Sequence, residues 1–238
     1  MDHEKLIKSK ERVQQHGEVF TPQWMVQKML DVEGIKQACE NIDATFLEPA
    51  AGDGNFLVAI LERKLKVVTE QFSEGHWGTK SLFALSSIYG IEFLADNLEI
   101  ARSRMLIHYL NWYEEIFQEQ LHSTTDLYKS AMYIIRRNIV RGNTLTKKHP
   151  DYDIPIIFNE WKKVKGSSSK VEKIEFTFSS LFEDPEDIEN LEKGISEGQL
   201  SLFGFEMFDE EKKEKNDDSV IIDIKKIYKL GVGCSVIF

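Results

Sequence analysis

The sequence predicts an α/β protein with a mostly parallel central sheet and an antiparallel C-terminal hairpin. Three observations predict it. The apolar pair Phe46-Leu47 ends in Glu48 and breaks into a glycine turn; an amphipathic run then follows over Phe56–Val68, with Leu57, Ile60, Leu61, Leu65 and Val68 at helical spacing. A second such unit runs from Ile88-Tyr89-Gly90-Ile91-Glu92 into a long helix opening at Asp96. Near the C-terminus, Ser219–Tyr228 and Gly233–Phe238 read as closing strands on the sheet edge.

In chain order, Met1–Gly17 is polar, carries Lys5, Lys8, Lys10 and Arg12, and predicts a short helix or a loose arm. Thr21 as N-cap with Pro22 at the first helical position starts a helix reaching Gln37, with Trp24, Met25, Met29 and Leu30 on one face. After the first strand–helix unit, Glu70–Lys80 predicts a loop in which Gly75 and Gly78 bracket an exposed His76 and Trp77. Asp96-Asn97-Leu98-Glu99 has the capping-box pattern and opens a helix to about Phe117. A further helix, Thr125–Arg136, precedes a third strand and its exit loop in Asn138–Leu145. Asp153–Phe158 predicts a fourth strand, running into Asn159-Glu160-Trp161. Lys162, Lys163, Lys165 and Lys170 flank the loop Gly166–Ser169, which suits either a phosphate contact or a solvated hairpin tip. Ile174–Phe178 alternates with a strand's period.

Composition sets the outer bounds. A chain of 238 residues that is 42% hydrophobic can bury the core of one α/β domain. Residues 183–218 hold 14 acidic residues against 4 lysines, so the net charge of −10 belongs to this segment and the remainder is balanced. The low pI therefore says little against a nucleic-acid partner. The expected organisation is a cofactor-binding body over 1–182, an acidic flexible insertion over 183–218, and closing strands of the same body over 219–238. Cys39 and Cys234 lie far apart without metal-ligand spacing, which fits a reducing cytoplasm; no metal is expected. No signal peptide or long apolar span is visible, so neither secretion nor membrane insertion is expected.

The glycine turn carries the chemistry. Gly52 and Gly54 let the backbone approach a ligand, and the helix start offers free N–H groups. A glycine turn alone can simply join strand to helix; the neighbouring acids, the proline and the helix register favour a cofactor loop. The third glycine of the dinucleotide fingerprint is missing. Glu48 and Asp53 instead suit a ligand with positive charge and hydroxyl donors, such as S-adenosylmethionine with its sulfonium and ammonium groups. Glu92, ending the second strand, is placed to accept hydrogen bonds from ribose hydroxyls.

Four motifs occur in a fixed order: Phe20-Thr21-Pro22 at a helix start, Glu48-Pro49-Ala50-Ala51-Gly52-Asp53-Gly54-Asn55-Phe56, Tyr89-Gly90-Ile91-Glu92 before a helix, and Arg141-Gly142-Asn143. Together they resemble the methyltransferase half of the N6-adenine-specific DNA methyltransferase family, over roughly residues 17–160. The resemblance implies a Rossmann-like, S-adenosylmethionine-dependent methyltransferase fold, a role in DNA methylation such as restriction-modification, and a compact phage or mobile-element setting. By match, Phe20, Thr21 and Pro22 would pack on the methionine end of the cofactor. Glu48, Pro49, Ala50 and the loop Gly52, Asp53, Gly54, Asn55 and Phe56 would hold its amino-acid part. Glu92 with Phe93 would take the ribose, and Asn143 would sit by the adenine ring.

The family places its chemistry on an N-P-P-Y/F tetrapeptide after the fourth strand, where an amide and a carbonyl accept from the adenine amino group and the aromatic ring stacks on the flipped base. This chain reads Phe158-Asn159-Glu160-Trp161 there, keeping an amide and an aromatic but neither proline. Asn159 and Trp161, as a degenerate form of that tetrapeptide, are the candidate catalytic residues, the other reading of the two being purely structural; the missing prolines point to a separate specificity or catalytic partner. Within the acidic segment, Gln199-Leu200-Ser201-Leu202-Phe203 resembles the peptide by which bacterial replication and repair proteins dock on the sliding clamp: Leu202 and Phe203 would enter an apolar pocket and Gln199 a polar anchor. The leading expectation is transfer of a methyl group to adenine N6 in DNA. The alternative is a catalytically impaired protein that binds S-adenosylmethionine and acts as a DNA- or clamp-binding module.

Overall fold

A computed structural model of the chain describes residues 6–182 and 220–231. Their elements in order are α1 (Lys10–His16), α2 (Gln23–Leu30), α3 (Ile35–Cys39), β1 (Phe46–Glu48), α4 (Asn55–Gln71), α5 (Glu74–Ser86), β2 (Ile88–Glu92), α6 (Ala95–Phe117), α7 (Asp126–Asn138), β3 (Ile139–Arg141), β4 (Ile157–Lys163), β5 (Lys170–Thr177) and β6 (Val220–Asp223). Short 3-10 helices follow β5 (Phe178–Phe182) and β6 (Ile224–Gly231).

The strands form two sheets. β1, β2 and β3 are parallel in that order, with Phe46 opposite Ile88, Gly90 opposite Ile139 and Glu92 opposite Arg141. Helices α4 and α5 carry the chain from β1 to β2, and α6 and α7 carry it from β2 to β3. β4, β5 and β6 form a separate antiparallel sheet. Alternation along the parallel strands divides the core. Phe46, Ile88 and Ile139 join the cluster of α4, α5, α6 and α7, whereas Leu47, Tyr89 and Ile91 pack with Ile156, Phe158, Phe176, Phe178 and Phe182. The Tyr89 hydroxyl spans this second layer and donates to the Asn159 carbonyl at 2.9 Å. Both faces of the parallel sheet are thus covered, and every residue of β1 and β2 is buried.

Several elements differ from the sequence-based expectation. The fourth strand does not extend the parallel sheet. The chain turns back after Ile156, and β4 pairs with β5 instead, so the antiparallel part is a three-stranded sheet and not a hairpin on the central one. A short apolar run specifies a strand but not its partner. The loop expected over Glu70–Lys80 is largely α5, whose buried face of Leu82, Phe83 and Leu85 outweighs two glycines in its first turns. The helix expected to reach Gln37 stops at Leu30, and Gly34 at φ 88° opens the short α3. Its exposed Trp24 is not on the buried face, which is formed by Val26 and Leu30. Asp96 does not cap α6: Leu94 occupies that place, and Asp96 pairs with Lys8 and Arg12. The strand expected over Ser219–Tyr228 ends at Asp223, beyond which Ile224 and Ile227 are buried from a 3-10 helix. Gly233–Phe238 and residues 183–218 lie outside the described residues. Among the described residues, no helix is long and apolar enough to cross a membrane.

Candidate functional site

The parallel strands β1 and β2 end side by side in carboxylates, Glu48 and Glu92. The turn after β1 is pinned to β2 by the Ala51 N–H, which donates to the Ile91 carbonyl at 2.9 Å. Gly52 and Gly54 both take positive φ, 56° and 92°. A Cβ at Gly54 would lie 3.0 Å from the Ala101 backbone of α6, so close helix packing adds a second reason for glycine there. The Phe20 ring borders Gly52, at 3.5 Å from where a Cβ would stand.

The two carboxylates differ in their partners. Glu92 accepts from the Gly52 N–H at 2.7 Å on one oxygen and from the Leu94 N–H at 2.9 Å on the other. Burial raises its pKa, and these donors oppose the shift. Glu48 is only 1% exposed. One oxygen accepts from the Ala50 N–H at 3.0 Å, while Oε2 is buried without a partner. Burial, and secondarily the nearby Glu92, push Glu48 up to about 7 against the pull of the Ala50 N–H.

The remaining loop residues hold the turn in place. Asn55 donates to the Thr21 carbonyl at 2.9 Å and accepts from Arg104 at 2.8 Å; Arg104 also pairs with Asp53 at 2.7 Å, whose Oδ1 is buried without a partner. Thr144 donates to the Pro49 carbonyl at 2.5 Å and so brings the exit loop of β3 beside the turn. Asn143 itself closes that loop, accepting from the N–H groups of Leu145 and Thr146. Phe93 is exposed at the rim next to His16, Pro22 immediately precedes α2, and Phe56 is buried in the core.

The expected site residues on the FTP segment, the glycine loop and β2 therefore come together at one edge. Asn159 and Trp161 do not join them. Both are buried inside β4, which descends towards the amino ends of the parallel strands. The Trp161 N–H donates to Asn138 Oδ1 at 3.1 Å; the Asn138 amide in turn donates to the Ser86 and Ile88 carbonyls, where β2 begins. Lys163, two residues on, pairs with Asp43 ahead of β1. The catalytic role expected for Asn159 and Trp161 thus has no geometry to support it: the antiparallel pairing of β4 carries them away from Glu48 and Glu92. Gln199, Leu200, Leu202 and Phe203 lie outside the described residues.

No family model, curated protein or solved structure matches the chain. The site must therefore be judged by its own chemistry. Buried acceptors at Glu48 Oε2 and Asp53 Oδ1 call for donors, and a glycine turn with open backbone keeps Cβ atoms out of the way. Sequence reasoning missed Glu18, Asn97, Arg104 and Thr144. Asn97 stood inside a pattern that reads as a helix cap, and the others carried no motif signal of their own.

Proposed function

We propose that this chain binds S-adenosylmethionine at the carboxyl ends of β1 and β2 and belongs to methyl-transfer chemistry, with adenine N6 in DNA as the acceptor. The observation that carries the cofactor reading is the Glu48 carboxylate, wholly buried beside the glycine turn with an unpartnered oxygen. An acceptor in that state favours a cationic donor such as the cofactor's ammonium group, which would offset the cost of keeping Glu48 charged. Glu92 uses three of about four acceptor positions on protein donors and retains one for a ribose hydroxyl. S-adenosylmethionine supplies an electrophilic methyl group; the chain's part is to hold the cofactor and exclude water around it. The finer fold reading accompanies this one: β1-α4-β2-α6-β3 would be the first half of a Rossmann-like methyltransferase sheet. The DNA acceptor rests on the order of the four motifs.

A second reading has its own observation. The place expected to supply the adenine-amino acceptors is buried in β4, with Asn159 against the Tyr89 side chain and Trp161 at the amino ends of the strands, which favours a cofactor-binding protein that needs a partner for turnover, or that acts as a DNA- or clamp-binding module. Calorimetry with S-adenosylmethionine, followed by transfer of its labelled methyl group to unmethylated DNA and nucleoside analysis, separates the two. Label in N6-methyladenine supports the enzyme, binding without label supports the module, and no binding removes both. For the clamp, Leu202→Ala with Phe203→Ala should abolish pull-down.

A further inference from the structure

The arm preceding the FTP segment makes contacts that neither the glycine turn nor the fold requires. Helix α1 buries none of its residues, yet Arg12 on it and Lys8 just ahead of it reach the start of α6. Lys8 pairs with Asp96 at 2.9 Å and also meets Asn97 Oδ1; Arg12 pairs with Asp96 at 3.0 Å and with Glu18. Glu18 is 8% exposed and Asn97 1% exposed. The Asn97 amide NH₂ donates to Glu18 Oε1 at 2.6 Å and to Glu92 Oε1 at 3.4 Å. Its oxygen faces the cations Lys8 and Arg12, the latter at 3.5 Å. One amide thus sits between two carboxylates on its donor side and two cations on its acceptor side, and that partner set fixes its orientation.

We propose that the N-terminal arm is a working part of the ligand site: Asn97 and Glu18 are positioning residues for Glu92, and Lys8 and Arg12 lock them in place, so that arm docking and ligand binding at Glu92 are coupled. This rests on the reading of Glu92 as a cofactor-binding carboxylate. Glu92 also accepts from Gly52, so a shift of its side chain moves the glycine turn as well. Coupling is reciprocal: what the docked arm adds to ligand affinity, bound ligand returns to arm docking.

The test uses the full chain and S-adenosylmethionine as probe. Arg12→Ala should weaken binding about 10-fold, within the usual range for coupled sites; because it also leaves the buried Glu18 without its cation, it should lower the melting temperature, and affinities are compared well below that transition. Arg12→Lys should restore much of it, and Lys10→Ala, on the exposed side of α1, should bind as the parent does. Ligand should also slow trypsin cleavage after Lys10, which reports arm docking directly. Asn97→Ala removes the Asn97 donor to Glu92, whose charged neighbours are Glu48 on β1, Glu18 from the arm and Arg141 opposite on β3. Its binding should therefore weaken as that of Arg12→Ala does, and saturating ligand should protect Lys10 less than in the parent, which general destabilisation does not produce. Parent binding with an equally tight Arg12→Ala variant and unprotected Lys10 overturns the coupling and leaves the cofactor site standing. A parent that does not bind S-adenosylmethionine overturns both.

Discussion

The two ends of the parallel sheet each bury a charged side chain, and they treat it in opposite ways. At the amino ends, Lys64 is 0% exposed, and its ammonium donates to the Asn41 carbonyl at 2.9 Å, the Ala44 carbonyl at 2.5 Å and the Ser87 hydroxyl at 2.8 Å. With the Ile42 carbonyl at 3.4 Å, four acceptors surround the ammonium. At the carboxyl ends, Glu48 is buried as deeply, yet one of its oxygens meets none. A buried charge that the protein satisfies itself is a structural device; one left half-satisfied calls for a partner from outside. Asn138 and Trp161, also at the amino ends, extend the satisfied region, whereas Gly52, Gly54 and Asp53 extend the open one.

Removing the satisfied charge should have the largest effect on folding. Lys64→Met leaves three carbonyls and the Ser87 hydroxyl without this donor in a buried site, at a cost of about 3–5 kcal/mol. Burial pulls the Lys64 pKa down to about 7, so what it contributes to stability is present above 10.5 and lost as pH falls through about 7. Urea unfolding of parent and variant checks both statements. A variant as stable as the parent would remove the contrast between the two ends.

Removing the open charge should do the reverse. Glu48→Gln keeps an acceptor for the Ala50 N–H but loses the charge, and S-adenosylmethionine affinity at pH 8 should fall about 30-fold or more. Parent affinity should rise as pH passes about 7, because a cationic ligand needs the ionised carboxylate, while the variant's stays flat. Stability without ligand runs the other way. A carboxyl with a raised folded pKa contributes stability that is full below 4.5 and lost as pH rises through about 7. The variant should therefore gain about 1–3 kcal/mol over the parent at pH 8. Thermal melts against pH test this, and a variant that is less stable at pH 8 would contradict the assignment of Glu48 as a charge held for a ligand.

These contrasts also mark what was legible in the sequence. Periodicity and the glycine turn place β1, α4, β2, α6 and the carboxylates Glu48 and Glu92 because those signals are local. Strand pairing is not local. Phe158-Asn159-Glu160-Trp161 reads the same whether β4 joins the parallel sheet or turns back to pair with β5, and only the packing of Phe158 on Tyr89 and of Trp161 on Asn138 decides it. The same holds for Glu18 and Asn97, whose meeting spans 79 positions.

A subtler perturbation of the open end is Gly54→Ala. The added methyl must accept φ 92° and meet Ala101 at 3.0 Å, costing about 1–3 kcal/mol and displacing the turn. Ligand affinity should fall while Lys64 and its acceptors stay intact, which amide exchange at Ser87 would report.

The smallest effect on ligand binding should come from the residues that sequence resemblance ranks as catalytic. Asn159 presents its carbonyl to Tyr89, and its side-chain oxygen is buried without a partner inside β4. Asn159→Ala removes that unpaired acceptor, so it should change stability by less than about 1 kcal/mol and leave S-adenosylmethionine affinity unchanged. Trp161→Phe leaves the buried Asn138 Oδ1 without its donor and a cavity where the indole packed, about 2–4 kcal/mol of stability, yet it should bind the cofactor as the parent does. If the parent methylates DNA, methyl transfer should likewise persist in both. Loss of transfer in Asn159→Ala with binding and stability intact would instead mean that β4 leaves the antiparallel sheet when DNA binds, and the division between a satisfied amino end and an open carboxyl end would hold only for the free protein.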